Sequence, residues 1–168
     1  LSNALRQKSC QDVVSFVINR NINFTNKCIG SCKFCSFKHS KTYFLTPEMI
    51  LERTGRAERL GATEICLQGG LAPEMMLEDY CQILELIHRD FPRMHLHAYS
   101  PMEVLHMSRN SHVEVKEAMR ELRKSGLGSM PGTAAEILVD SVRQKICPDK
   151  LKAEEWRQII TAAHLLGI

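Results

Sequence analysis

Three closely spaced cysteines are the residues of this sequence best suited to chemistry. Cys28, Cys32 and Cys35 form a C-x3-C-x2-C array directly after an apolar, strand-like run. Three thiols this close on one loop cannot all face one core, so a shared metal is the economical interpretation. Structural zinc sites and electron-transfer iron-sulfur clusters both normally take four protein ligands. Three ligands therefore favour a cubane iron-sulfur cluster whose fourth iron is open to a non-protein ligand.

Two alternatives to a cubane cluster stay open for this cysteine array. His39 follows Cys35 closely and could complete a zinc site of three cysteines and one histidine. The three cysteines could also be reduced residues that bind no metal. The remaining cysteines are scattered, and we predict that they are small buried or surface residues: Cys10, Cys66, Cys81 and Cys147.

A polar stripe leads into the cysteine loop (residues 28–35). Residues 13–25 are predicted to form a strand, because polar and apolar residues alternate in their second half. The alternation puts several polar side chains on one face: Asn19, Asn21, Asn23 and Thr25. We expect this face to look into an active-site cavity. An edge strand with a hydrated face is the alternative.

The rest of the chain alternates between helix and strand signals. Helices are predicted at 46–61, 74–89, 112–124 and 153–166, and strands at 62–68 and 94–99. Residues 126–132 are predicted to form a short strand that runs into a glycine-rich turn. Such alternation indicates an α/β fold with parallel strands joined by right-handed crossovers. The predicted architecture is a partial TIM-like (β/α) barrel, of which this chain holds the first four βα units.

Candidate site residues lie at the carboxyl ends of these strands, where the active sites of parallel barrels are found. The second predicted strand ends at Gln68, Gly69 and Gly70, where backbone can approach a ligand closely. Ser100 follows the third strand, and a glycine-rich turn and then Glu136 follow the fourth. Together with the cysteine loop after the first strand, four separate segments therefore converge on one mouth of the barrel.

Two histidines share a face of the third predicted strand. His95, His97 and Tyr99 alternate with other residues between positions 94 and 99. They either line the inside of the barrel or are core residues whose polar atoms have hydrogen-bond partners. We favour a functional role for His97, because it lies nearer the carboxyl end of the strand.

The composition excludes several classes of protein. The net charge is +3 and the basic residues are dispersed, so nucleic acid binding is not expected. No apolar run of 18 residues is present, which argues against a membrane protein. Seven cysteines, an odd number, indicate the cytoplasm or another reducing intracellular compartment.

The 168 residues are interpreted as half of one domain. The chain does not begin with Met, and it stops at residues 166–168, where a helix has just ended and a strand is expected. We therefore expect residues 1–168 to be the N-terminal half of a barrel domain. A half barrel leaves an edge strand unpaired and an apolar helix face uncovered. These residues alone are expected to be unstable and inactive.

The cysteine array, with Phe34 just before its last cysteine, resembles the signature of the radical S-adenosylmethionine (SAM) superfamily. The resemblance implies a 4Fe-4S cluster bound by Cys28, Cys32 and Cys35, with SAM on the open iron. It implies reductive cleavage of SAM to methionine and a 5'-deoxyadenosyl radical. It also implies that residues 1–168 are the N-terminal half of a radical SAM core domain.

Several segments further resemble the CofH subunit or domain of FO synthase: 19–26, 43–48, 62–70, 95–104, 126–138 and 146–150. This resemblance covers nearly the whole chain. It implies a transferase that joins the 4-hydroxybenzyl group of L-tyrosine to 5-amino-6-(D-ribitylamino)uracil, a step toward the chromophore of coenzyme F-420. Besides these two substrates, it implies a CofG subunit or fused CofG domain and an electron donor as partners.

The resemblance also implies roles for individual residues. Phe34 would lie near the adenine of SAM. Residues 68–70 occupy the place of the glycine-rich motif that receives the methionine amino group, although the acidic residue common there is absent. Ser100 and Glu136 are candidates for contacts to the SAM ribose or carboxylate, and Arg143 is a further candidate that could instead form a surface ion pair. The substrate-side candidates are Asn21, Asn23 and His97.

Two rival functions stay open at this point. A menaquinone-pathway enzyme of the MqnC or MqnE type shares the cysteine loop and the general layout. A non-catalytic iron-sulfur or zinc-binding module requires a fourth protein ligand, for which His39 is the nearest candidate. The second rival predicts no glycine-lined cavity.

Overall fold

The computed structural model describes residues 1–133 and 135–168, with the side chains of all of these except Lys38 and His39. The alternative in which His39 is a zinc ligand therefore falls outside the described side chains. In chain order the elements are α1 (Ser2–Cys10), β1 (Asn19–Asn23), a 3-10 helix (Ser36–His39), α2 (Pro47–Arg59), β2 (Glu64–Gln68), α3 (Leu77–Asp90), β3 (His95–Ala98), α4 (Pro101–Asn110), α5 (Val115–Lys124), α6 (Asp140–Ile146) and α7 (Ala153–Leu165). None of the described helices is long and apolar enough to cross a membrane.

The three strands form one parallel sheet in the order β1-β2-β3. Asn21 of β1 lies opposite Cys66 of β2, and Cys66 lies opposite His97 of β3. Parallel neighbours need a crossover connection, and α2 and α3 provide it after β1 and β2. The predicted α/β architecture with parallel strands is confirmed, and it is consistent with part of a (β/α) barrel.

The fourth predicted strand, at 126–132, is reduced to a single bridge. Ser129 forms a parallel bridge with His97, and the Ala98 amide donates to the Ser129 carbonyl at 2.9 Å. The short strand predicted here is limited to this bridge because glycines and a proline interrupt the segment, and Gly126 has a φ of 110°. Ser129 nevertheless lies beside β3, where a fourth strand would begin.

The two faces of the sheet differ in polarity. One face packs against the helices with side chains that are at most 2% exposed: Ile22, Phe24, Ile65, Leu67, Leu96 and Ala98. Tyr80 and Ile87 of α3 belong to the same core. Burying each of these large apolar side chains contributes about 1.5–3 kcal/mol. The opposite, polar face carries Asn21, Glu64 and His97.

Tyr99 turns away from the polar face, contrary to the prediction. Its φ of 55° lies in the left-handed region, and its side chain is fully buried. The ring meets Tyr80 and Phe24 edge-on at centroid distances of 5.2 and 6.1 Å, and its hydroxyl donates to the Tyr80 carbonyl at 2.8 Å. Simple alternation places Tyr99 beside His95 and His97, but a left-handed residue breaks the alternation of a strand.

Three helices, α1, α4 and α6, and one strand boundary differ from the predicted pattern. The predicted first strand begins only at Asn19, and α1 precedes it without a single buried residue. A helix without an apolar stripe gives no periodic signal. The second unpredicted helix, α4, is almost entirely buried. It begins with a capping box, in which Ser100 and Glu103 satisfy each other's backbone amides at 3.3 and 2.8 Å.

Candidate active site

A cavity of about 340 Å3 opens at the carboxyl ends of the strands. The cysteine loop, the turn after β2, the amino end of α4 and residues between 133 and 150 line it. The cavity brings together ten of the predicted site residues: Asn23, Cys28, Cys32, Phe34, Cys35, Gln68, Gly69, Gly70, Ser100 and Glu136. The other three predicted residues, Asn21, His97 and Arg143, lie outside its described lining.

The three cysteines of the loop face this cavity with half-buried side chains, and none of them forms a disulfide. A Cβ placed on Gly30 would lie 3.3 Å from Cys28 Sγ and 3.9 Å from Cys32 Sγ, so the two sulfurs flank one point. Burial raises the pKa of the Cys32 thiol, Lys150 opposes this effect, and the neighbouring thiols raise the pKa further. A bound cation would favour the thiolate form of all three.

Contacts to two other segments hold the cysteine loop in place. The Ile29 amide donates to the Leu71 carbonyl at 3.1 Å, next to the glycine turn. The Ser31 amide donates to the Asp149 carboxylate at 2.7 Å. These contacts come from two separate segments of the cavity lining, so the protein itself holds the cysteine loop.

The Gly69–Gly70 turn packs directly against the segment that enters the cysteine loop. A Cβ on Gly70 would lie 2.2 Å from the Lys27 carbonyl oxygen, and a Cβ on Gly69 would lie 2.4 Å from the Phe24 ring. The Gly70 amide donates to the Thr25 carbonyl at 2.9 Å. This close approach is available only to residues without a side chain.

Glu103 of α4 contacts this turn and is not among the predicted site residues. It lines the cavity and is only 3% exposed. Its Oε1 accepts from the Gly69 amide at 2.9 Å, and its Oε2 accepts from the Ser100 amide at 2.8 Å and the Ser100 hydroxyl at 2.7 Å. Burial raises the pKa of this carboxyl to about 7, although the hydrogen bonds and Lys150 lower it. The capping-box pattern of residues 100–103 is the sequence signal that could have identified it.

Charged residues form another wall of the cavity. Glu136 accepts a hydrogen bond from Lys150 and lies 3.7 Å from Arg143 Nη1. The Lys150 ammonium lies 5.3 Å from the centroid of the Phe34 ring. Arg143 is 3% exposed, and its guanidinium donates at 2.7, 3.0 and 2.8 Å to the carbonyl oxygens of Ala135, Ile137 and Leu151. Arg143 is therefore a buried residue that joins backbone segments beside this wall, and it does not form a surface ion pair.

His97 belongs to a separate network on the polar face of the sheet. Ser129 Oγ lies 2.6 Å from His97 Nδ1 and 2.7 Å from His95 Nε2. One hydroxyl hydrogen serves only one ring, so the other imidazole donates to the oxygen. Ligand atoms of Glu64, His95 and His97 lie within 4.8 Å of one another, a spacing that could hold a metal ion. Hydrogen bonding to Ser129 already accounts for the arrangement of both rings.

Comparison with known proteins identifies the family. Residues 22–168 match the family described as the radical SAM superfamily. The chain belongs to the radical SAM superfamily. A Methanosarcina acetivorans protein named 5-amino-6-(D-ribitylamino)uracil--L-tyrosine 4-hydroxyphenyl transferase 1 is 52% identical over 98% of this chain and 44% of its own length. The transferase of that name from Archaeoglobus fulgidus is 50% identical over 100% of this chain and 49% of its own length.

A solved structure also shares the radical SAM fold of this chain. The crystal structure of methylornithine synthase (PylB) matches with a TM-score of 0.71 over 97% of this chain and 45% of that chain, at 14% identity. At this level of identity the likeness concerns the fold alone. The chain spans about half the length of the transferases it matches, 44% and 49%.

Radical SAM membership implies SAM and a 4Fe-4S cluster as cofactors. The cavity fits such a cluster, because three half-buried thiols of one loop face a single space and are not paired in disulfides. The other four cysteines are not in the described lining of the cavity: Cys10 is exposed, Cys66 is half-buried, and Cys81 and Cys147 are buried. Their described positions agree with the prediction of small buried or surface residues.

Proposed function

We propose that the protein is a radical SAM transferase that joins the 4-hydroxybenzyl group of L-tyrosine to 5-amino-6-(D-ribitylamino)uracil. The observation that carries this proposal is 52% and 50% identity, along 98% and 100% of the chain, to proteins named for a transferase with these two substrates. The cavity supports it, because cysteines, a glycine turn and polar side chains from distant segments line one space.

In this proposal Cys28, Cys32 and Cys35 bind the 4Fe-4S cluster. When bound, the cluster supplies the electron for reductive cleavage of SAM. The Gly69–Gly70 turn would hold the amino-acid end of SAM through its backbone carbonyls, with Gln68 beside it. The contact between this turn and the entry to the cysteine loop supports the assignment, because it brings the two binding elements together.

Phe34, Ser100 and Glu136 line the remaining wall and would hold the nucleoside end of SAM. Arg143 takes a different role from the one that the resemblance implied. Its guanidinium is occupied by three backbone carbonyls, so we assign it to positioning Glu136 rather than to contact with SAM. Lys150 supports the same wall through Glu136 and through the ring of Phe34.

The substrates would lie against the polar face. Asn23 lines the cavity, and the Asn21 side chain donates to Asn23 Oδ1 at 3.2 Å. His97 continues this polar surface to the Ser129 hydroxyl. A ribityl chain and a uracil ring carry hydroxyl and amide groups that need hydrogen-bond partners when water is excluded. We therefore assign Asn21, Asn23 and His97 to substrate contact.

We also propose that residues 1–168 form the N-terminal half of the radical SAM core domain. Coverage of 44% and 49% of two relatives supports this. The second half of the barrel, a CofG subunit or fused CofG domain and an electron donor would complete the system. An oxidising environment would favour disulfides among the free cysteines, so a reducing intracellular compartment is part of the proposal.

The experiment uses the full-length protein, reconstituted anaerobically with iron and sulfide. It is supplied with reductant, SAM, tyrosine and the ribitylaminouracil, and mass spectrometry follows 5'-deoxyadenosine and the hydroxybenzyl adduct. Both products are expected. Cys32→Ala should abolish both and lower the bound iron, whereas Cys10→Ala, which changes an exposed cysteine of α1, should change neither.

The outcomes separate the rival functions. Deoxyadenosine without the adduct would retain radical SAM chemistry and move the substrate assignment toward the menaquinone-pathway type. Bound iron without deoxyadenosine in the presence of SAM would favour a non-catalytic iron-sulfur module. Either result would overturn the transferase proposal.

A further inference from the structure

We infer that Glu103 is a positioning residue for the cofactor, whose carboxylate holds the Gly69–Gly70 turn in the geometry that receives the amino-acid end of SAM. The inference rests on the proposed assignment of SAM to this turn. It does not depend on tyrosine or on the uracil. Glu103 is 3% exposed and lines the cavity, but its hydrogen bonds go to the protein backbone and to Ser100.

The need for this carboxylate arises where β3 leaves the sheet. The Tyr99 amide donates to the Leu67 carbonyl at 3.1 Å. In a regular parallel ladder the next bond would run from the Gly69 amide to the Tyr99 carbonyl. The left-handed backbone of Tyr99, with a φ of 55°, directs the chain into α4. The Gly69 amide donates instead to Glu103 Oε1 at 2.9 Å, so Glu103 replaces a strand partner at the edge of the cavity.

Both oxygens of this carboxylate have donors. Oε1 serves Gly69, and Oε2 serves the amide and hydroxyl of Ser100. A glutamine at this position has one carbonyl oxygen and one NH2 group. Whichever way the amide is turned, a donor faces a donor, so either the turn or the helix start loses its partner.

Charge is a second way in which Glu103 could act on SAM. Burial raises the pKa of this carboxyl to about 7, and its hydrogen-bond donors and Lys150 oppose the effect. SAM is a sulfonium cation, and a carboxylate in the same cavity would attract it. S-adenosylhomocysteine has the same amino-acid end without the sulfonium charge. Comparing the two ligands therefore separates positioning from charge.

The test measures the affinity of three ligands by equilibrium dialysis, using the full-length protein with its reconstituted cluster. SAM and S-adenosylhomocysteine have the amino-acid end, and methylthioadenosine lacks it. We expect Glu103→Gln to weaken the binding of SAM and of S-adenosylhomocysteine by a similar factor, about 10- to 100-fold, because hydrogen bonds to a charged group are lost. Methylthioadenosine binding should stay unchanged. The matched control is Glu85→Gln, since the Glu85 carboxylate also accepts from a serine hydroxyl, that of Ser125, at 2.7 Å, and should change none of the three.

Each other pattern would overturn the inference. Equal weakening of all three ligands would make Glu103 a residue of the general fold, and a loss confined to SAM would make it a charge effect. Unchanged binding of all three ligands would show that Glu103 has no role in SAM binding. If the glutamine variant retains no iron, the same three ligands are measured with Glu103→Asp, which keeps the carboxylate and can still cap the helix on a shorter side chain. The same ligand pattern with a smaller factor is then expected, and equal loss of all three ligands is the contrary result.

Discussion

The cavity and the polar face of the sheet differ in how their side chains are held. Glu103, which lines the cavity, and Arg143, which lies outside its described lining but 3.7 Å from Glu136, are each 3% exposed and bind backbone groups of several segments. On the polar face, the side chains of His95 and Glu64 are 45% and 15% exposed, and the contacts run among the polar groups themselves. Precise binding needs side chains that are locked by their surroundings. The proposed cofactor end of the site is thus held by buried contacts to the backbone, whereas the proposed substrate end is more exposed.

The largest effect should come from adding a side chain where the glycine turn packs against the entry to the cysteine loop. At Gly70 a Cβ would lie 2.2 Å from the Lys27 carbonyl oxygen, so Gly70→Ala must displace backbone beside Cys28. A displacement near 1 Å costs on the order of 100-fold in rate. We expect the full-length variant to lose most of its iron and its SAM cleavage, measured by iron analysis and 5'-deoxyadenosine formation.

Gly132→Ala is the matched control for this change. A Cβ on Gly132 would lie 3.8 Å from the Trp156 ring, which is an ordinary contact. Iron content and SAM cleavage should stay normal in this variant. If Gly70→Ala behaved in the same way, the cavity would be as adaptable as the polar face, and the contrast between the two regions would fail.

A smaller effect, on stability, is expected from removing the buried Arg143 guanidinium. Arg143→Leu leaves three backbone carbonyls without their donor, and we expect the free energy of unfolding to fall by about 2–4 kcal/mol. Urea denaturation of the full-length protein measures the change. Arg157→Leu removes an exposed ion pair to Glu154 and should cost less than about 1 kcal/mol. Equal losses in the two variants would show that the Arg143 wall is not specially held.

The smallest effect should be on the polar face. Ser129→Ala removes the hydroxyl that His95 and His97 share, which frees both rings without opening the core. We expect KM for the ribitylaminouracil to rise about 3- to 10-fold, which corresponds to one neutral hydrogen bond. The affinity for SAM should change less. Ser9→Ala in the exposed α1 is the control, and a larger change in SAM affinity than in KM would place Ser129 with the cofactor end instead.

Local patterns predicted the repeating parts of the fold. Alternation located β1, β2 and β3, because one face of each strand is buried and the other is polar. The helix predicted at 46–61 corresponds to α2, whose start is capped by Thr46, with Oγ1 accepting from the Met49 amide. The spacing of the cysteines predicted the loop that faces the cavity. Each of these features is written within a few neighbouring residues.

Contacts between distant segments and single unusual dihedrals could not be predicted in this way. The left-handed conformation of Tyr99 leaves no mark on the alternation that precedes it. The capping box of α4 was present in the sequence, but the bond from Gly69 to Glu103 joins residues that are 34 positions apart. Arg143 has partners eight residues away on either side, in irregular segments whose path no periodicity describes.

The aromatic rings behind the glycine turn have a consequence for local opening. Phe24, Tyr80 and Tyr99 meet edge-on at 5.2 to 6.1 Å, and the Phe24 ring occupies the space beside Gly69. Freeing the turn requires these rings to separate, although the turn itself belongs to no helix or strand. Its amide hydrogens should therefore exchange with solvent as slowly as those of the buried strands. A loop with the lifetime of a core segment would keep its shape while cofactor enters and leaves many times.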